Sequence, residues 1–138
     1  MYISPIDGSV QLLDTLRLYP GMPREEVEAL RDAHVLPQLH HPIQHHCLMY
    51  AKASPLQTIV YLENEKVDKI ILSVPYRNSF PLPREEQITY LGDCLGEEFL
   101  NAFEAQSPVG AFPWGNAEFA WFDRENTLNL ILTYHQAR

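Results

Sequence analysis

Twice in this chain, apolar and polar residues alternate on both sides of a short polar tip. In the first case Leu56, Thr58, Val60 and Leu62 share one strand face, Glu63-Asn64-Glu65-Lys66 forms the tip, and Ile70, Leu72 and Val74 share a face of the returning strand. In the second, Phe119 and Trp121 lie on one face opposite Ala120 and Phe122, and Asp123-Arg124-Glu125-Asn126 forms the tip. Leu128, Leu130, Leu132 and Tyr134 then alternate with Thr127, Asn129, Ile131 and Thr133. A period of two marks a half-buried strand, and a short polar tip joins antiparallel neighbours. The fold therefore has to accommodate two antiparallel hairpins, each with one apolar face.

The rest of the chain is read around those hairpins. Val10, Leu12, Leu16 and Leu18 fall on alternate positions, so a strand is predicted over 10–18, with Leu13 and Asp14 breaking the pattern as at a bulge. Tyr19-Pro20-Gly21 is a turn signal. Pro23 then stands where a first helical residue would, followed by Arg24-Glu25-Glu26, and Val27, Leu30 and His34 mark a helix of about three turns. A further strand is predicted over 47–53. Pro83-Arg84-Glu85-Glu86 repeats the helix-start chemistry, and a long helix is predicted over 84–105 with Ile88, Leu91, Leu95, Phe99, Ala102 and Phe103 as its buried stripe. Gly92 and Gly96 in that helix mark either close packing or a break. Loops are expected over 34–46, 75–83 and 107–115. The expected fold class is α+β: a mainly antiparallel sheet of about six strands, with one short and one long helix packed on one face, in a single domain over 1–138.

Charge narrows the function. Ten basic residues against 18 acidic ones leave a net charge of −8, which disfavours a nucleic-acid binder, and no run of Lys or Arg offsets it. Two cysteines, Cys47 and Cys94, make no disulfide framework and suit a reducing compartment. No stretch approaches about 18 apolar residues and the first residues do not read as a signal peptide, so a cytoplasmic protein without a membrane span is expected.

Three constellations are candidates for chemistry or binding. Five of the six histidines lie within 34–46, with Cys47 following. Imidazole and thiolate are good ligands for zinc, copper or nickel, and His41, His46 and Cys47 are the best-placed candidates. The spacing matches no zinc pattern, and Pro42 interrupts any helix that would align His41 with His45. A solvated loop leading into a strand is the plainer reading, a small metal-dependent enzyme or metal sensor using 40–47 the sharper one, and a pH-responsive loop a third. The second constellation is the long helix, where 84–104 carries six carboxylates against Arg84 alone. Glu86, Asp93, Glu97 and Glu104 are spaced by 7, 4 and 7 residues and would line one helix face. That face is either a solvated surface or a docking site for a basic partner. The third is aromatic: within Phe112-Pro113-Trp114-Gly115, Trp114 is a candidate interface anchor. Signatures for nucleophilic catalysis, phosphate binding and metalloprotease chemistry are absent, and acids beside Cys94 would blunt its thiol. Neither an enzyme nor a cofactor is expected.

Leu16-Arg17-Leu18-Tyr19-Pro20-Gly21-Met22-Pro23, followed by Glu26-Val27, resembles the strand–Pro-Gly-Met–helix opening of small bacterial α+β proteins. The opening also occurs in lipoproteins of outer-membrane assembly, whose signal and cysteine this chain lacks. Trp114-Gly115, the Asp123-Arg124 tip and a closing strand ending in Tyr134 are similar to the C-terminal half of immunity-type proteins, the antidotes of bacterial polymorphic and contact-dependent toxins. The resemblance covers about 40 residues and transfers no specific binding residue. It implies a cytoplasmic, non-catalytic protein that occludes a toxin domain. The acidic helix makes a basic partner the expectation, and the chain is expected to be a monomer or small homo-oligomer.

Overall fold

The computed structural model describes residues 1–34, 46–49 and 55–135, with residues 34 and 46–49 described by their backbone. The elements run β1 (Tyr2–Ile3), β2 (Val10–Leu13), β3 (Leu16–Leu18), α1 (Arg24–His34), β4 (His46–Met49), β5 (Gln57–Glu63), β6 (Lys66–Ser73), α2 (Arg84–Ala105), β7 (Ala111–Phe112), β8 (Gly115–Phe122) and β9 (Thr127–Tyr134). The fold is α+β. Its strands form two antiparallel sheets rather than one: β1-β2-β3, and a larger sheet in the order β4-β5-β6-β9-β8-β7.

Both hairpins form where the alternation places them. Asn64 and Glu65 take φ of 52° and 62° at the first tip, the left-handed pair that matches the twist of a tight hairpin. Register then assembles the core row by row. Val60 faces Ile70, Ile70 faces Leu132 and Leu132 faces Ala117, and all four are buried. Leu91, Leu95 and Phe99 of α2 join them in one continuous apolar cluster, together with Val10, Leu12, Leu16 and Leu18 of the small sheet and Val27 of α1.

Two expectations are corrected, and the choice between close packing and a break at the helix glycines is decided. The strand over 10–18 is a hairpin, β2 and β3, turning at Asp14-Thr15 with an irregular register between Gln11 and Leu13. Leu12, Leu16 and Leu18 are still buried because both arms present the same face to the core. The long helix spans 84–105 but is interrupted at Gly96, whose φ of 80° and ψ of 159° are not helical. Ile88 leaves the buried stripe, 56% exposed, and Gln87 takes its place at 1%. Gln87 Nε2 donates to the carbonyls of Leu82 (2.8 Å) and Asn126 (2.9 Å), while Oε1 accepts from the Leu128 N–H (2.8 Å). Burying Ile88 instead would gain about 2–3 kcal/mol. It would leave three backbone groups short of a partner, at about 1–3 kcal/mol each. The polar demand of the sheet end therefore sets the rotation of the helix.

The Tyr19-Pro20-Gly21 turn joins the two sheets. Gly21 N–H donates to the Val67 carbonyl at 2.9 Å and Val67 N–H to the Met22 carbonyl at 3.0 Å, so the segment entering α1 runs antiparallel to the start of β6.

Candidate functional site

Glu86, Asp93, Glu97 and Glu104 are all exposed, as are Glu85 and Glu98. A single continuous helix face does not carry them, because the break at Gly96 falls between Asp93 and Glu97. Glu86 and Asp93 are brought together with Glu85 along an open groove of about 370 Å3, walled by Leu82 and Tyr90. Arg77 reaches this groove from the 75–83 loop and lies 3.6 Å from Glu86. Glu97 and Glu104 lie beyond the break. Arg84 turns elsewhere, over the Trp121 ring at 4.5 Å and within 4.0 Å of Asp123. The groove is thus acidic, with one cation at its edge.

Trp114 does not belong to that groove. It is half-buried and stacks on Phe112 at 4.8 Å, and its indole N–H donates to the Pro5 carbonyl at 3.0 Å. Gly8 lies flat against the ring, where a Cβ would come within 2.6 Å, and the Tyr134 hydroxyl donates to the Gly8 carbonyl at 2.6 Å. Burial pushes the Tyr134 phenol well up, which keeps it a neutral donor. The 107–115 segment is therefore not a free aromatic loop: Phe112 is buried in β7, and Trp114 clamps the N-terminal arm onto β8 and β9. One side of Trp114 remains at an open depression with Ile6, Tyr19, Pro20 and Pro113.

Of the metal candidates, His41 lies outside the described residues. His46 and Cys47 are the first two residues of β4, in register with Tyr61 and Val60. Among the described residues, no three His, Cys, Asp or Glu side chains converge to hold a metal. Cys94 carries a free, half-buried thiol. Burial first, then the Asp93 charge, pushes its pKa up, so the weakly nucleophilic protonated form dominates.

Two polar features escape the sequence pattern. One is Gln87, since a glutamine in an amphipathic helix gives no sign of facing inward. The other is the Glu63–Asp68 pair beside the first hairpin tip. Burial, then a hydrogen bond with Glu63 and the charge of Glu63, raise the Asp68 carboxyl above its ordinary value. Asp68 sits at the register shift between the Tyr61–Lys69 and Leu62–Val67 pairs, close to the Glu63–Lys66 pair at the tip, and simple alternation does not foresee that irregularity. They line a cavity of about 280 Å3 with Pro20, Gly21 and His135.

No helix among the described residues is long and apolar enough to cross a membrane. No family model, no curated protein and no solved structure matches the chain.

Proposed function

We propose that this chain is a non-catalytic, cytoplasmic protein-binding module that docks on a basic protein, acting as an immunity-type inhibitor that occludes a bacterial toxin domain. The observation that supports this most is the acidic groove along the first half of α2. Glu85, Glu86 and Asp93 are solvent-facing on a concave, partly apolar surface, in a chain of net charge −8. A negative surface of this kind accelerates encounter with a cationic partner and repels acidic ones, and both effects weaken with salt. Glu97 and Glu104 extend the negative field past the break, and Trp114 belongs to the clamp on the N-terminal arm rather than to this contact. In this reading both helices pack on one face of the larger sheet, which leaves the outer side of α2 free to dock.

Affinity capture with the full chain as bait, at low and high salt, tests the proposal. The wild type should retain one basic polypeptide that salt releases. The double variant Glu86→Lys with Asp93→Lys should lose it by about tenfold or more while its circular dichroism is unchanged. Equal retention by both baits, or no basic polypeptide at all, would overturn the docking assignment.

A further inference from the structure

The loop before α2 carries a feature that the charge pattern does not explain. Arg77 and Phe80 exchange both backbone hydrogen bonds, Arg77 N–H to the Phe80 carbonyl at 2.8 Å and Phe80 N–H to the Arg77 carbonyl at 3.1 Å. Asn78 and Ser79 between them take φ of 53° and 68°, so this is a two-residue hairpin turn of the left-handed type. Its ends are tethered: Val74 and Leu82 are buried at 1% and 6%, and the Tyr76 hydroxyl donates to the Glu125 carbonyl. Pro75 and Pro81 stiffen the flanks. At the end of this rigid turn Phe80 stands 72% exposed. A single exposed apolar side chain is ordinary in itself. Here the turn that carries it is closed by two backbone hydrogen bonds, and Arg77 of the same turn pairs with Glu86 of the acidic groove.

We infer that Phe80 is the apolar anchor of the α2 docking surface, inserting into an apolar pocket on a cationic protein partner. The inference rests on the proposed reading of the acidic groove. A preorganised aromatic loses little conformational freedom on binding, and buried aromatics dominate interface energetics. Charge selects the occupant. A second copy of this chain would bring two acidic grooves together, and an anionic lipid surface would be repelled by Glu85 and Glu86.

The test places the photo-crosslinking residue p-benzoylphenylalanine at position 80 of the full chain. A control carries it at position 109, where Val109 is 60% exposed on a different loop. Both are irradiated in source-cell lysate. The expected result is an adduct at position 80, absent at 109, with one polypeptide of pI above about 9. Unlabelled wild type should compete the adduct away, and Phe80→Ser should compete at least about tenfold less well at unchanged thermal stability. No adduct beyond the control, an adduct with a second copy of the chain, lipid or an acidic polypeptide, or equal competition by Phe80→Ser would each overturn the inference. If Glu86→Lys with Asp93→Lys still abolishes capture of a basic partner while position 80 yields no adduct, the anchor alone fails. If neither experiment finds a basic partner, the docking surface fails with it.

Discussion

The two halves of α2 are held to the rest of the molecule by different chemistry. Before Gly96, Leu91 and Leu95 pack in the shared core, and the Gln87 carboxamide adds a polar clamp that satisfies three backbone groups at the junction of the 75–83 loop and the β8–β9 turn. After Gly96, the helix is fixed by rings. Phe103 meets Phe119 edge-on at 5.1 Å and Phe99 at 6.4 Å, Phe99 stacks near Phe112 at 5.9 Å, and Phe112 continues to Trp114. A polar clamp fixes rotation, because its hydrogen bonds tolerate little misalignment. An aromatic chain fixes position mainly by volume, with a modest extra preference for tilted or edge-on geometry. The half with the polar clamp carries the groove, where the side chains on the outer face need a defined rotation.

The largest way to break this contrast is Phe99→Ala, which empties the centre of the aromatic half. It should lower unfolding free energy by about 3–5 kcal/mol in guanidinium titrations. Gln87→Leu keeps the volume and deletes the clamp. Leaving the Leu82 and Asn126 carbonyls and the Leu128 N–H short of partners, offset in part by the burial of the leucine, should cost a net of about 2–4 kcal/mol. Amide exchange should then quicken at Leu128 and leave the Phe99–Phe112 neighbourhood protected. If exchange quickens equally in both places, the halves are one unit and the contrast is wrong.

The two helix glycines sharpen the comparison. Gly92 has helical geometry and open space around an added Cβ, so Gly92→Ala should stabilise by about 0.5–1 kcal/mol. Gly96 also has open space, but its φ of 80° is left-handed, so Gly96→Ala should destabilise by about 1 kcal/mol. Opposite signs for two half-buried glycines one turn apart would locate the break in solution by calorimetry.

The smallest effect concerns Asp68, whose carboxyl is raised by burial and by Glu63. A raised carboxyl favours the protonated form in the fold. Its contribution is therefore fullest below the ordinary carboxylate range and is lost as pH rises through the raised value. Asp68→Asn should be more stable than wild type at neutral pH, and the difference should vanish at about pH 3. A constant difference across that range would contradict a raised Asp68 carboxyl.

The hairpins were legible because a period of two survives any tertiary arrangement, and Arg84–Ala105 was legible because its start chemistry and apolar stripe agree. What was not legible depended on partners distant in sequence. Gln87 against Ile88 is decided by three backbone groups, one five residues away and two about forty. Trp114 reads as a loop aromatic until Pro5 and Gly8, more than a hundred residues earlier, close on it. The carboxylates are exposed, as their spacing off the apolar stripe requires, but a single face needs an unbroken helix and this one breaks at Gly96.

Local pattern and composition alone thus determined the two long hairpins, the helix starts and the exposed carboxylates of this protein, since each depends on neighbours within a turn or a hairpin. Only the tertiary structure decided that the strands divide into two sheets, that α2 rotates onto Gln87 and breaks at Gly96, and that Arg77, in the same tight turn as Phe80, reaches Glu86. Those outcomes follow from satisfying buried backbone groups and filling one shared core, and both requirements are set by segments that meet only once the chain has folded.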